Sequence, residues 1–400
     1  MLTAYVLDWL NLLVRWLHFT AGISWIGASF YFVWLDNHLT PPAGADDAAR
    51  GVSGELWAVH GGGFYHSQKF LTGPKGQPLT RDLHWFKWEA YVTWLSGIAM
   101  LALIYWAGAS TYLIDKSVLD LSPAAAIAIS IASLAAGLLA YEMLCRVLEK
   151  QPLALGVAVF ALLTFAAWGL SHVFGARAGY IHVGSIIGTI MAANVAHAII
   201  PGQRKMLAAI RAGREPDPAP GILGKTRSVH NTYLTLPVLF TMISNHYPMT
   251  YDGPYGWLVL ALIGLAGVLV RYFFILTHKH KFVVALPLAA ALILAGAALA
   301  VAPRARPAPA GANSVSFARA QSIVAERCAT CHAAHPTQPG FATAPQGILL
   351  DSPENIVRNA ARIDQQAVKT HAMPLGNVTH MTDAERAALA TWIAAGATTQ

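Results

Sequence analysis

Long apolar runs, of about the length that crosses a bilayer, constrain this chain more than any other feature of its sequence. Eight runs of roughly 20 predominantly apolar residues occupy the first three-quarters of the chain. They fall near residues 9–35, 86–108, 123–145, 153–171, 179–201, 231–247, 254–276 and 282–302. Charged residues make up only 12% of the chain, against about 25% in ordinary soluble domains. We therefore expect an all-α fold, in which residues 1–302 form an eight-helix transmembrane bundle in the lipid bilayer.

The sequence changes character after residue 302. Residues 303–314 are rich in proline and alanine, which is typical of a stiff linker. Residues 315–400 are more polar, and their patterning predicts helices over 316–329, 351–359 and 382–395. The last of these begins with Thr382 and Glu385, which match the two side chains of a capping box. The chain thus has a membrane domain, a linker and a small C-terminal helical domain.

The C-terminal domain contains the pattern C-x-x-C-H at Cys328, Cys331 and His332. This is the attachment signature of c-type haem, because two thiols at this spacing can both bond to the haem vinyl groups. The histidine that follows is then placed as an axial iron ligand. A zinc knuckle or a redox dithiol would need a second ligand pair or a thioredoxin-like context. We therefore predict a C-terminal mono-haem cytochrome c domain with one covalent haem c.

A second axial ligand should follow in the sequence, and methionine is usual in electron-transfer cytochromes. Met373 is followed by a proline, with a glycine nearby, so an extended loop could bring its sulfur to the iron. Met381 is the alternative. We predict Met373 as the ligand.

Charge asymmetry predicts the orientation of the chain. Haem is attached to such a motif outside the cytoplasm, and eight spans place both termini on the same side. The loops that would then be cytoplasmic carry fifteen Lys and Arg residues, whereas the outer loops carry Lys116 and Arg177. This bias agrees with the positive-inside rule. We expect a multi-pass protein of a bacterial inner membrane, with its N-terminus and cytochrome c domain periplasmic. The net charge of +7 is explained by that cytoplasmic face, so nothing indicates nucleic-acid binding.

Several histidines lie in or beside the predicted spans, where ionisable groups are costly and commonly functional. They are His18, His182, His197, His230 and His246. His182 and His197 are 15 residues apart, about 22 Å along one helix. One hypothesis is a pair of membrane haems of the b type, with His197 and His230 holding an inner haem and His182 and His246 an outer one. His18 is an alternative ligand. Taken singly, each histidine is more simply explained as a helix-end residue satisfied by water or headgroups.

The whole chain resembles the bacterial membrane-bound urate hydroxylases, also described as urate dehydrogenases, which join a urate oxidase N-terminal membrane domain to a cytochrome c. The resemblance covers essentially the full length. It is carried by Trp16–His18 and by residues 22–32, 60–65, 87–94, 194–201, 228–233 and 244–248, together with the haem elements. It implies oxidation of urate to 5-hydroxyisourate, with electrons passing through the haem to the respiratory chain. A soluble cytochrome c or a terminal oxidase would be the electron acceptor.

Urate is a planar anion, so its site should offer cationic or amide donors and aromatic faces. The loop after the first span and the start of the second contain suitable residues. Those predicted to bind the substrate are Tyr65, His66, Lys69, Lys87 and Trp88. His60 or Glu89 could act as the general base. This loop lies a membrane thickness, roughly 30 Å, from the haem. Either membrane haems relay the electrons, or urate binds near the outer side, around Asp8, Arg15, His18 and His246.

Two other classes of function agree with the same sequence. A respiratory-chain subunit could oxidise quinol instead of urate. A transporter could use its cytochrome only to sense redox state. Anaerobic reduction of the haem by urate, but not by a quinol, would distinguish the first class from urate oxidation.

Overall fold

Eight long helices follow the eight apolar runs. The computed structural model describes residues 2–251, 253–302, 315–339 and 341–399, and the predicted linker at 303–314 lies outside the described residues. The eight helices are α1 (Leu2–His38), α2 (Trp88–Trp106), α3 (Pro123–Val147), α4 (Pro152–Ser171), α5 (Ala176–Arg211), α6 (Ala219–Ile243), α7 (Gly256–His278) and α8 (Ala285–Ala300). A short helix, Ala109–Tyr112, follows α2.

Local chemistry explains where several of these helices start. The Ser122 hydroxyl accepts a hydrogen bond from the Ala125 N–H, and Pro123 takes the first helical position of α3, where its missing N–H costs nothing. Pro152 begins α4 in the same way. Helix α6 starts 12 residues before its predicted span. The apolar run begins late because the first half of the helix is polar, but this half is also helical and part of the folded bundle.

Five helices of the described chain are long and apolar enough to cross a bilayer, namely α2, α3, α4, α5 and α7. Helix α8 is apolar but has only 16 residues. Helices α1 and α6 contain more polar side chains. The protein is therefore a helical membrane protein, and the full count of eight spans stays a prediction.

Helix α5 lies at the centre of the bundle. In its most apolar stretch 67% of the residues are buried, whereas this share is 28% or less for the other four spans. Small residues let its neighbours approach closely, as is common between membrane helices. A Cβ at Gly137 of α3 would lie 2.5 Å from the Ile186 side chain, and Gly184 lies directly against Thr241 of α6.

A β-hairpin replaces the loop that the sequence predicted between the first two spans. Its strands are β1 (Val52–His60) and β2 (Gly63–Phe70), which pair antiparallel with His60 opposite Gly63. Gly61 and Gly62 form the turn with φ of 58° and 82°, values that a two-residue hairpin turn requires. This ribbon, which Thr40 joins through a single β-bridge to Glu55, departs from the predicted all-α structure. We call this end of the bundle the hairpin end.

The C-terminal domain contains the three predicted helices in slightly shorter form. They are α9 (Phe317–Arg327), α10 (Pro353–Arg358) and α12 (Asp383–Ala394). A further helix, α11 (Ala360–Ile363), continues as a π-helical turn to Lys369. The capping box is confirmed, since Thr382 and Glu385 bond each other's backbone N–H groups. Helices α9 and α12 pack together around Ile323, Leu389 and Trp392.

Candidate functional site

The C-x-x-C-H segment forms a tight turn directly after α9. The N–H groups of Cys331 and His332 both donate to the Cys328 carbonyl, at 3.1 and 2.9 Å. Cys328 is buried and Cys331 is half-buried. Burial raises the pKa of the Cys328 thiol to about 12 and also raises that of Cys331. The hydrogen bonds to the Cys328 carbonyl place both cysteines on one short turn, as attachment of a haem requires.

The orientation of His332 also fits an axial iron ligand. Its Nδ1 lies 3.0 Å from the Ile348 carbonyl oxygen. Because a carbonyl can only accept, Nδ1 must carry the hydrogen, which leaves the lone pair on Nε2 for a metal. The Leu350 N–H donates to the His332 carbonyl at 2.7 Å and holds the same turn from the backbone side. The donor set present is the one that haem c needs.

Met373, the predicted sixth ligand, has a backbone held on two sides. Its N–H donates to the Gln366 carbonyl at 2.8 Å, and its own carbonyl accepts from the Arg386 guanidinium at 2.8 Å. Met381, the alternative, is 3% exposed and belongs to the core of the cytochrome domain. Its N–H is bonded to the Asn377 side chain. The choice of Met373 stays a prediction, and Met381 already has a packing role.

The loop after Met373 contacts the membrane domain. Gly376 has φ of +57°, and a Cβ on it would lie 2.8 Å from the Thr111 carbonyl oxygen and 2.9 Å from that of Ile114. These carbonyls belong to the segment that follows α2, at the end of the bundle opposite the hairpin. We call this the cytochrome end. The methionine side of the cytochrome domain thus packs against backbone of the membrane domain.

A cavity of about 460 Å³ opens beside this contact and is lined by both domains. Tyr180, Tyr251 and Trp257 line it from the membrane domain, and Met381 and Arg386 from the cytochrome domain. The Tyr180 hydroxyl lies 2.6 Å from the Thr250 carbonyl and 2.8 Å from that of Gly256, which fixes the ring at the cavity wall. The two domains therefore enclose polar and aromatic groups next to the loop that carries Met373.

Hydrogen bonds account for both ring nitrogens of His182. Its Nδ1 lies 2.7 Å from the Ala178 carbonyl, so Nδ1 carries the hydrogen. Its Nε2 then accepts from the Ser130 hydroxyl at 2.7 Å, and Ser130 accepts from the Trp106 indole at 2.9 Å. A haem at His182 would have to replace the bond to Ser130. The structure thus gives this histidine a packing role in the core.

A buried polar network surrounds His230 nearer the hairpin end. The Tyr141 hydroxyl lies 2.8 Å from His230 Nδ1. Asn194 bonds both Tyr141 and Asn231. Arg227 forms two hydrogen bonds with Glu142, at 3.0 and 2.8 Å, and a third with Asn194. Each member therefore has a partner inside the bundle, which is how charge at membrane depth is stabilised.

His18 is placed differently from the other membrane histidines. Its Nδ1 lies 2.9 Å from the Thr93 carbonyl and 3.1 Å from the Ser96 hydroxyl. Nδ1 is therefore the donor, and Nε2 has no hydrogen bond within the described residues. Gly97 makes room for the ring, because a Cβ there would lie 3.1 Å from His18 Cε1. His18 and His332 share one arrangement, in which a carbonyl orients the ring and leaves Nε2 free.

His197 and His246 are both exposed, one on α5 and one just after α6. The structure therefore does not give the four histidines of the two-haem hypothesis equivalent surroundings. His182 and His230 both point to α3, where they meet Ser130 and Tyr141. The pairing of His182 with His246 and of His197 with His230 stays a prediction.

The residues predicted to bind and oxidise urate lie around the hairpin. His60 ends β1 beside the turn and is exposed, whereas Glu89 lies in the first turn of α2. Tyr65 and Trp88 are 54% and 63% exposed. Lys69 forms an ion pair with Asp36 at 2.6 Å. Lys87 lies 5.5 Å from the Trp88 ring centroid.

His66 is bonded to Glu55 at 2.9 Å and stacks on Trp57 with ring centroids 4.3 Å apart. The Ala43 N–H, together with His66, holds the pKa of the Glu55 carboxyl below its usual range. The charged groups of the hairpin are thus satisfied locally. Their role in substrate binding, and that of His60 and Glu89 in catalysis, stay predictions.

Sequence reasoning missed Arg271 of α7. It is 5% exposed, and its Nε and Nη2 have no hydrogen-bond partner among the described residues. Its guanidinium lies 4.3 Å from the centroid of the Phe30 ring. An arginine inside a predicted span was the signal that could have identified it, since such a charge is a functional candidate by default.

Comparison with known families agrees with this division of the molecule. Residues 4–302 match the family described as urate oxidase N-terminal, and residues 317–396 match the cytochrome c family. No curated protein and no solved structure matches the chain. The first match covers most of the chain and the second covers the whole haem-binding region. The chain belongs to the urate oxidase N-terminal family and carries a cytochrome c domain at its C-terminus.

Proposed function

We propose that the membrane domain oxidises urate to 5-hydroxyisourate and that the electrons leave through the chain's own cytochrome c domain. Urate and water give 5-hydroxyisourate, two protons and two electrons. The oxygen comes from water, and the electron acceptor is the haem, which when bound takes up one electron at a time. The contact of Gly376 with the Thr111 and Ile114 carbonyls is the observation that carries this proposal.

That contact matters because electron transfer slows steeply with distance. The loop that follows Met373 lies on the backbone at the cytochrome end, so no diffusional encounter is needed between the two domains. Arg386 contacts both the Met373 loop and the cavity that the two domains share. Its guanidinium holds the Met373 carbonyl, and its side chain also lines the shared cavity. The arrangement supports a direct path from the membrane domain into the haem-binding loop.

A substrate site far from the cytochrome end would need a further redox centre, and His18 is the best-placed ligand for one. We infer that His18 Nε2 binds a non-covalent haem of the b type. His18 lies near the middle of α1, about 24 Å along the helix from Leu2 and about 18 Å from Phe30. The Thr93 carbonyl fixes its ring, and Gly97 lets it approach α2.

The His18 proposal is tested by haem content and not by activity. Haem that organic extraction removes from purified protein should be lost in His18→Gln, while the covalent haem c is retained. His246→Gln is the matched control, because His246 is exposed and should retain the extractable haem. Wild-type protein without extractable haem, or with haem lost only in His182→Gln or His230→Gln, would contradict the assignment.

The orientation that we propose places the cytochrome end on the periplasmic side of a bacterial inner membrane. Excess Lys and Arg in the loops at the hairpin end support it. Electrons would then leave to a soluble cytochrome c or a terminal oxidase of the respiratory chain.

Anaerobic reduction of the purified full-length protein by urate tests the proposed function. Urate should reduce the haem c, and one urate should deliver two electrons to an added excess of oxidised cytochrome c. A quinol added in place of urate should give no comparable reduction. Reduction by quinol alone would instead favour the respiratory-chain function. No reduction by either compound would leave the transporter as the better hypothesis.

A further inference from the structure

We propose that Arg271 is the centre of a binding site for a planar organic anion, formed where α1, α6 and α7 meet. The inference rests on the proposed function, because it names the place where urate would bind. Arg271 lies seven residues before the end of α7 at His278, about 10 Å along the helix, so the site is in the half of the bundle near the hairpin end.

The environment of Arg271 makes an unused guanidinium costly. Its side chain is nearly fully buried, and two of its three nitrogens have no partner within the described chain. A buried charge without a partner is strongly destabilising unless something compensates for it. Phe30 compensates only in part, since a ring face at 4.3 Å stabilises the cation but accepts no conventional hydrogen bond.

Arg227 shows that this fold pairs a buried arginine when the role is structural. It forms two hydrogen bonds with the Glu142 carboxylate and a third with Asn194, and it also lies 5.2 Å from the Tyr141 ring centroid. Among the described residues, Arg271 has the aromatic neighbour but no carboxylate partner. An anion that arrives from outside would supply the missing acceptor.

The free atoms of Arg271 indicate the shape of that anion. Nε and Nη2 lie on the same edge of the guanidinium and donate in parallel, so they match two acceptors in one plane. Urate offers such a pair in a ring nitrogen and the adjacent carbonyl oxygen. Phe30 provides an aromatic face beside the fork, which favours a flat ring over a tetrahedral phosphate.

His278 extends the site towards the hairpin end. It follows Arg271 by seven residues, which returns to nearly the same face of α7. Its buried Nδ1 also lacks a partner among the described residues, and its ring lies 5.2 Å from that of His38. Two side chains on one helix face thus present unused polar atoms to the same inter-helix space.

Equilibrium binding of urate to fully reduced holoprotein tests the site. Fully reduced protein cannot accept electrons from urate, so equilibrium dialysis measures binding without turnover. Arg271→Gln should weaken urate binding roughly 10- to 100-fold, the range expected for loss of charge-assisted hydrogen bonds. Arg271→Lys should bind more weakly than wild type, because the charge remains and the planar fork is lost. Inorganic phosphate should compete poorly.

The matched control is Arg177→Gln. Arg177 is a partly buried arginine at the cytochrome end, where it bonds Asn245 and lies over Tyr112. Its loss should leave urate binding unchanged. Weaker binding in Arg177→Gln with normal binding in Arg271→Gln would move the site to the cytochrome end and overturn the proposal. Equal competition by phosphate and urate would overturn the planar specificity.

Two further outcomes separate this inference from the proposed function. If urate reduces the wild-type haem but Arg271→Gln binds urate normally, the function stands and the site is wrong. If urate does not reduce the wild-type haem but Arg271→Gln weakens urate binding, the anion site stands and the function is wrong. Should Arg271→Gln fail to fold, Phe30→Leu decides: it should weaken urate binding several-fold while the haem spectrum stays normal, and unchanged binding would reject the site.

Discussion

The cytochrome c domain and the membrane domain assemble their chemistry in opposite ways. In the cytochrome domain, Cys328, Cys331 and His332 are local in sequence, and one turn after α9 positions all three. In the membrane domain, Phe30 and Arg271 are 241 residues apart in sequence and meet only through helix packing. A local site is identified by its sequence pattern, whereas the partners within a packed site are set by which helices lie side by side.

The prediction with the largest expected effect removes the function of the cytochrome domain and leaves that of the membrane domain intact. Replacing both Cys328 and Cys331 with alanine should abolish covalent haem, because both thioether positions are lost. Haem staining of a denaturing gel measures this. Urate binding should remain, since the membrane site is built from other helices. Loss of urate binding in this variant would show that the regions depend on each other for folding.

Met373→Ala should remove the sulfur-to-iron charge-transfer band at the red end of the oxidised spectrum, with the covalent haem retained. Methionine ligation raises the haem potential, so this variant should also be harder to reduce. Met381→Ala is the comparison, and it should retain the band while lowering stability through a cavity in the cytochrome core. The opposite pattern would make Met381 the ligand.

Gly376→Ala tests the contact that joins the two regions. The added Cβ would meet the Thr111 and Ile114 carbonyls, so we expect haem reduction by urate to slow on the order of ten-fold, while dithionite still reduces the haem rapidly. An alanine at this positive φ also costs about 1–2 kcal/mol. Gly347→Ala is the matched control, since Gly347 has φ of +66° and open space around its Cβ position. Equal slowing in both variants would assign the effect to backbone strain.

Arg327→Gln should destabilise the cytochrome domain by about 1.5–3 kcal/mol, because it leaves the Glu385 carboxylate nearly buried without its charged partner. Denaturant unfolding followed by haem absorbance measures this. Lys369→Gln, which breaks the more exposed pair with Asp364, should change stability by less than about 1 kcal/mol.

The same pair predicts a pH dependence. Burial alone would raise the pKa of Glu385, but hydrogen bonds from Arg327 and Thr382 outweigh it and hold that pKa below its usual range. The pair therefore stabilises the folded state above the unfolded pKa of about 4.3, and this contribution is lost as the pH falls towards the folded pKa. Arg327→Gln should lose less stability than wild type on acidification below that value.

The smallest expected effect concerns the hairpin. Lys69→Gln breaks the pair with Asp36 and should change stability by at most about 1 kcal/mol. Urate binding to the reduced protein should not change. A ten-fold loss of binding in this variant would restore the hairpin as the substrate site and weaken the case for Arg271.

Sequence patterns predicted more of the cytochrome domain than of the membrane domain for a physical reason. Thr382 and Glu385 cap α12 because a capping box is local, four residues long and independent of the rest of the fold. Histidines in apolar runs carry no such information. His18 and His182 look alike in sequence, yet one keeps a free Nε2 and the other is saturated by Ala178 and Ser130.

The hairpin shows the same limit. The sequence predicted a loop between the first two spans, but Gly61 and Gly62 form the turn that pairs β1 with β2. Strand pairing depends on cross-strand neighbours such as Trp57 and His66. A short-range sequence pattern does not show that these two residues are neighbours.

By itself the sequence determined that the chain is a helical membrane protein and that a small cytochrome c domain follows it, and it predicts that Cys328, Cys331 and His332 hold the covalent haem. A membrane span depends on the hydropathy of about 20 consecutive residues, and the haem attachment motif is five residues long. Both are short-range properties, so the order of residues is enough to predict them. Only the tertiary structure decided which buried polar groups have partners. Arg227 meets a carboxylate, whereas Arg271 packs on a phenyl ring and its Nε and Nη2 have no hydrogen-bond partner among the described residues. This difference depends on which helices lie side by side, and no single segment of the chain contains that information.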